Sequence, residues 1–150
     1  TAGFGVYPAV ERAASATASQ VIGVVVGFEP DYSNLNTGAY RAASTRRVAF
    51  VADSPDLIFA VPQDGTGGVV AAASVGLNCD IVVGTGASTA PYASTQMIDS
   101  SQVATTSTLP VQIVGVVASP ENDVTSTSRP AELLVRINTH AFGGAGVAGV

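Results

Sequence analysis

Cys79 and His140 are the chain's one cysteine and one histidine, so any nucleophilic chemistry would have to start from them. A thiolate needs a base within hydrogen-bond reach and a pocket that holds the electrophile. No electrophile-binding motif accompanies either residue. Cys79 therefore reads as a small buried hydrophobe, and His140, at a strand end beside Phe142, as a surface or capping residue. No G-x-S-x-G elbow supports a serine nucleophile. The run Gly65, Thr66, Gly67, Gly68 lacks the lysine and following Ser or Thr of a phosphate loop and reads as a turn. Two carboxylate pairs, Asp53 with Asp56 and Glu121 with Asp123, fall in turn sequences, where aspartate is placed to bond backbone amides. Neither pair fits a Ca²⁺ loop, and no zinc-ligand spacing occurs. The residues assign no catalytic group, no cofactor and no metal, and the reading is of a protein that is not an enzyme.

The composition points to contact with other molecules. Only 11% of the 150 residues are charged and 47% are hydrophobic, with a net charge of -5; a typical soluble domain is about 25% charged. All six basic residues are arginine. Lysine is a common guard of sheet edges and solvated surface, so its absence leaves surface suited to occupation by a partner. Arginine is the basic residue favoured at interfaces, because its planar fork pairs with carboxylates. The acidic balance argues against nucleic acid, whose phosphates demand clustered basic side chains. The one cysteine excludes an intrachain disulfide and fits assembly in reducing cytoplasm. No apolar run reaches the roughly 18 residues needed to span a bilayer, which predicts a soluble chain with no membrane partner.

The elements that position these residues are strands. Residues 48–52 and 57–61 are apolar runs flanking Asp53, Ser54, Pro55 and Asp56, in which Pro55 presets φ for a type I turn. This spacing predicts a hairpin whose two faces both need covering. Residues 1–20 read as an extended arm, with a short helix available to residues 11–20. Residues 21–28 form a strand with Ile22, Val24, Val26 and Phe28 on one face, followed by a turn-rich loop over 29–40. Residues 69–74 suit one or two helical turns stopped by Gly76. Residues 80–83 read as a short strand, and 85–108 as irregular loop with short strands, Met97 and Ile98 inward. Residues 109–118 and 131–140 pair as strands around the turn 119–123, the second with Leu133, Val135 and Ile137 alternating against Glu132, Arg136 and Asn138. The glycine-rich tail fits best in a groove or against a partner. The fold class is all-β, a small β-barrel or jelly-roll-like sandwich with at most one short helix. The domains are an arm over 1–20 and a single β domain over 21–150.

From Arg46 to His140 the phrases RRVAFVADSPDLIFAVPQD, VGLNCDIVVGTGAS, MIDSSQVATTSTLPVQIVGVV, SPEND and LLVRINTH occur in that order. Together they resemble head decoration, or cement, proteins of tailed bacteriophages. The resemblance implies a structural virion protein on the outer surface of the capsid. Such a protein binds the major capsid protein, associates with itself as a dimer or trimer, and is assembled in the host cytoplasm. The alternative is a carbohydrate- or host-surface-binding β module of a virion fibre or appendage. It is disfavoured by 6% aromatic residues and no tryptophan. Phe4, Tyr7 and Val10 of the arm and the paired Arg46 and Arg47 are the expected partner-contacting residues.

Overall fold

A computed structural model describes residues 7–13, 20–35, 40–42, 44–70, 72–84, 94–125, 131–143 and 146–150. Among these the chain is nearly all β, with seven strands in two antiparallel sheets and a 3-10 turn at Ala72–Ser74. β1 (Val24–Phe28) pairs with β2 (Ala49–Ala52) as a two-stranded ribbon. The second sheet contains β3 (Ile58–Pro62), β4 (Asn78–Val83), β5 (Gln96–Ala104), β6 (Val111–Val116) and β7 (Glu132–Ile137). Its spatial order is β3-β7-β6-β4-β5. No described helix is long and apolar enough to cross a membrane.

β7 organises the larger sheet, and its sequence shows why. Leu133, Val135 and Ile137 are buried while Glu132 and Arg136 face solvent, so the period-two pattern becomes one dry face and one wet one. As the second strand of the sheet, β7 pairs β3 on one side and β6 on the other, placing Val135 opposite both Phe59 and Ile113. Ile98, Cys79 and Val70 complete the core with Ile113, Leu133 and Val135. Each fully buried aliphatic side chain of this size stabilises the fold by roughly 1.5–3 kcal/mol. The sheet curls until its edges touch at one end. There Gln63, just after β3, bridges Ile98 of β5 in parallel, and the Asp64 amide donates to the Ile98 carbonyl at 2.9 Å. The contact is local, so the architecture is sandwich-like and not a closed barrel.

The hairpin expected over residues 48–61 does not form. Its turn does: the Leu57 amide donates to the Ser54 carbonyl at 3.3 Å, with Pro55 in the second position. The strands it joins nevertheless enter different sheets. A turn with Pro in that position has a twist that splays the flanking strands, whereas tight hairpins use the mirror-image turns. β3 pairs instead with β7 along its whole length, from Ile58↔Arg136 to Pro62↔Glu132.

Two further expectations change. The stretch read as irregular loop with only short strands contains the longest strand, β5, of nine residues. Its sequence, QMIDSSQVA, lacks apolar alternation, and Ile98 is its one fully buried aliphatic anchor. Met97 is half-buried. In β1, a bulge between Val25 and Gly27 interrupts the alternation expected from Ile22 to Phe28.

The helical turn before Gly76 and the β6–β7 pair both form, and the end of the tail is bonded to the body while Val147 and Val150 stay exposed. Gly76 has φ +96, the left-handed conformation that glycine adopts without strain. The Gly149 amide donates to the Thr105 carbonyl and the Val150 amide to the Gly76 carbonyl, so residues 146–150 lie against the body. Of the helical option over 11–20, residues 14–19 lie outside the described set; 11–13 and 20 have no regular structure.

Candidate interaction surface

The β1–β2 ribbon stands apart from the core. Its strands pack on each other and make no comparable contact with the five-stranded sheet. Its tie to the body is Val21, whose amide donates to the Thr139 carbonyl at 3.0 Å and whose carbonyl accepts from the Ala141 amide at 3.0 Å. Val24 and Val25 are exposed, Val26 is 69% exposed and Phe50 52%. The apolarity that suggested a doubly covered hairpin therefore meets solvent here. Leu57 and Ile58, beyond the turn, are exposed as well.

Charge brackets this ribbon. At one end Arg47 is turned inward: its guanidinium donates to the Tyr40 carbonyl at 2.7 Å and to the Glu29 carbonyl. It also lies over the Phe28 ring, 5.6 Å from the centroid. Arg47 thus ties the segment after β1 to β2. Its neighbour Arg46 is exposed and makes no hydrogen bond or ion pair among the described residues. At the other end Asp53 and Asp56 are exposed and equally unpaired. The backbone bonds expected of these two turn aspartates are not made.

The arm is held separately. Arg12 donates to the Gly84 carbonyl at 2.9 Å, which anchors residues 7–13 beside the end of β4. Tyr7 and Val10 point into solvent. Phe4 lies outside the described residues. The expected interface residues therefore divide into an arm set and a ribbon set, and Arg47 is engaged within the chain.

Four other acidic side chains are engaged locally through one repeated pattern. Asp31, Asp64, Asp99 and Asp123 are each followed two residues later by Ser or Thr. Each carboxylate accepts both the amide and the hydroxyl of that residue, Ser33, Thr66, Ser101 and Thr125 respectively. The D-x-[ST] spacing was visible in the sequence and is the signal that identifies these aspartates as turn residues. Asp64 does more, accepting the Ser100 amide at 3.0 Å and hydroxyl at 2.7 Å. Burial would raise its pKa, but the donors from Thr66 and Ser100 outweigh it and hold the carboxyl at about 2.

Cys79 is buried in the core cluster, and burial, then the charges of Asp80 and Asp99, push its thiol up to about 12. A thiol so strongly protonated is a packing group. His140, expected at the surface, is 2% exposed. Its Nδ1 accepts the Phe142 amide at 3.0 Å, so the capping role holds while the ring is covered. The covering chain is the segment around Val21, which bridges His140 in parallel; its distance in sequence hid the burial. No cluster of three metal-ligating side chains occurs among the described residues. No family model, curated protein or solved structure matches this chain.

Proposed function

We propose that this chain is a head decoration protein that binds the major capsid protein on the outside of a bacteriophage capsid, as a homo-oligomer. The observation that carries the reading is the ribbon that exposes Val24, Val25, Val26 and Phe50 beside a self-contained body. Apolar surface of this kind marks a site of association. The sequence phrases that resemble cement proteins give the partner its identity. A decoration protein needs no reacting group. It works by mass action, adding buried area between subunits that packaged genome would otherwise push apart. The exposed arm, the scarcity of charge and the protonated Cys79 thiol all agree with that task.

Incubating purified protein with capsids that lack it tests the reading. Saturable co-sedimentation and a higher temperature of genome release are the expected results. Failure to bind, or binding to glycans in place of particles, overturns it. Deleting residues 1–10 should weaken particle binding more than it lowers the melting temperature, and equal loss in both would remove the arm from the interface.

A further inference from the structure

We infer that β2 is a self-pairing edge: two copies of the chain join antiparallel along β2, across a two-fold axis at Phe50, into a continuous sheet β1-β2-β2-β1. The inference goes beyond capsid binding, because it concerns the isolated chain. A two-stranded ribbon is marginal in water, and three or more strands are needed for independent stability. The ribbon borrows little from the body, so a partner strand supplies what is missing.

The edge that pairs is identified by its backbone. The Val48 carbonyl accepts the Glu29 amide at 2.9 Å, so Val48 faces β1. By the alternation of an antiparallel ladder, Phe50 and Ala52 also face β1, while Ala49 and Val51 direct their amides and carbonyls outward. No bulge interrupts β2. β1 is bulged at Val26, which blunts its own outer edge.

The register follows from which groups can meet. Outward-facing residues pair with outward-facing residues, so Ala49 of one copy lies opposite Val51 of the other, and Phe50 opposite Phe50. Two half-exposed aromatic rings then cover each other as a cross-strand pair. The same register sets Arg46 across from Ser54 of the second copy, on the face that strand alternation shares with Asp56 and within a long side chain's reach of it, while Asp53 falls across from Arg47. An antiparallel copy brings the unpaired Arg46 of one chain toward the unpaired Asp56 of the other, at both ends of the strand.

Sedimentation of the isolated chain over a dilution series should show a monomer–dimer equilibrium. Ala49→Pro removes an outward amide that the ribbon itself does not use, and should weaken the dimer about tenfold or more. Arg46→Asp should weaken it too, and Arg46→Asp combined with Asp56→Arg should restore it. Phe50→Cys should oxidise to a covalent dimer, whereas Val51→Cys, whose like residue sits diagonally about 7–8 Å away, should not. The cross-link decides the matter even where the proline variant loses its ribbon. A monomer at every concentration, a trimer, or cross-linking through Val51→Cys as readily as through Phe50→Cys overturns the inference. A dimer that ignores capsids would uphold it while removing the capsid reading, and a monomer that binds capsids would do the reverse.

Discussion

The carboxylate of Asp64, just past the end of β3, accepts a hydrogen bond from the Ser100 hydroxyl of β5 at 2.7 Å, joining the two edges of the five-stranded sheet. The same hydroxyl accepts the Gly67 amide at 2.9 Å. Gly67 lies so close to β5 that a Cβ on it would stand 2.4 Å from the Ser101 Cα. The loop after β3 is therefore a latch across the curl of the sheet.

Removing that latch should be felt in stability. Charge-assisted hydrogen bonds contribute about 1.5–3 kcal/mol each in favourable settings, and partial exposure places this site at the low end, so Asp64→Ala should cost about 2 kcal/mol. The Asp64 carboxyl is held at about 2, below its ordinary value of 3.8. A depressed carboxylate stabilises the fold fully above its unfolded pKa and loses that contribution as pH falls through the folded one. Urea midpoints of wild type and Asp64→Ala should therefore differ most above pH 4 and converge toward pH 2. A gap that persists at pH 2 would assign the cost to packing.

The tail should prove part of the body. A Cβ on Gly149 would lie 2.9 Å from the Leu77 Cα and 3.0 Å from the Asn78 amide nitrogen, both backbone atoms that cannot step aside. Gly149→Ala should cost about 2 kcal/mol, roughly 5 °C in melting temperature for a chain of this size. Differential scanning calorimetry measures it directly, and an unchanged melt would mean the tail detaches freely.

Cys79 should be silent in the folded protein. With its thiol pushed up to about 12 inside the core, a disulfide-exchange reagent at pH 8 should react only as fast as the chain opens. Adding denaturant should restore full reactivity. Rapid labelling of native protein would contradict the burial.

The two adjacent arginines should separate cleanly. Arg47→Ala removes the bonds to the Glu29 and Tyr40 carbonyls and should speed hydrogen exchange and protease cleavage in residues 29–42. Arg46→Ala removes no hydrogen bond or ion pair among the described residues and should leave both rates unchanged. Equal effects would show that the pair acts only through its summed charge.

What the sequence revealed follows the range over which its signals act. β7 was legible because its alternation is a property of the strand alone, and Gly76 because a left-handed helix stop is local. The turn at Pro55 was legible for the same reason. The partners of its flanking strands were not, since β3 reaches β7 across more than seventy residues. The length of β5 was not legible because Ser100 and Ser101 are held by the Asp64 and Asp99 carboxylates, and not by buried apolar side chains. At the interaction surface, the apolarity of β2 and the pairing of Arg46 with Arg47 could be read directly. The inward commitment of Arg47 could not, because Tyr40 and Glu29 offer only backbone carbonyls, which every residue has.

The long reach from β3 to β7 also governs how the molecule is made. While the ribosome is still short of Glu132, Ile58–Pro62 has no partner for its backbone, and Leu133 and Val135 are not yet available to close the core. Folding is thus deferred until residues 132–137 have emerged, leaving nascent strands in the custody of chaperones or of one another. Stalled chains of increasing length, pulled upon by their own folding, should register force only once residue 137 has cleared the exit tunnel.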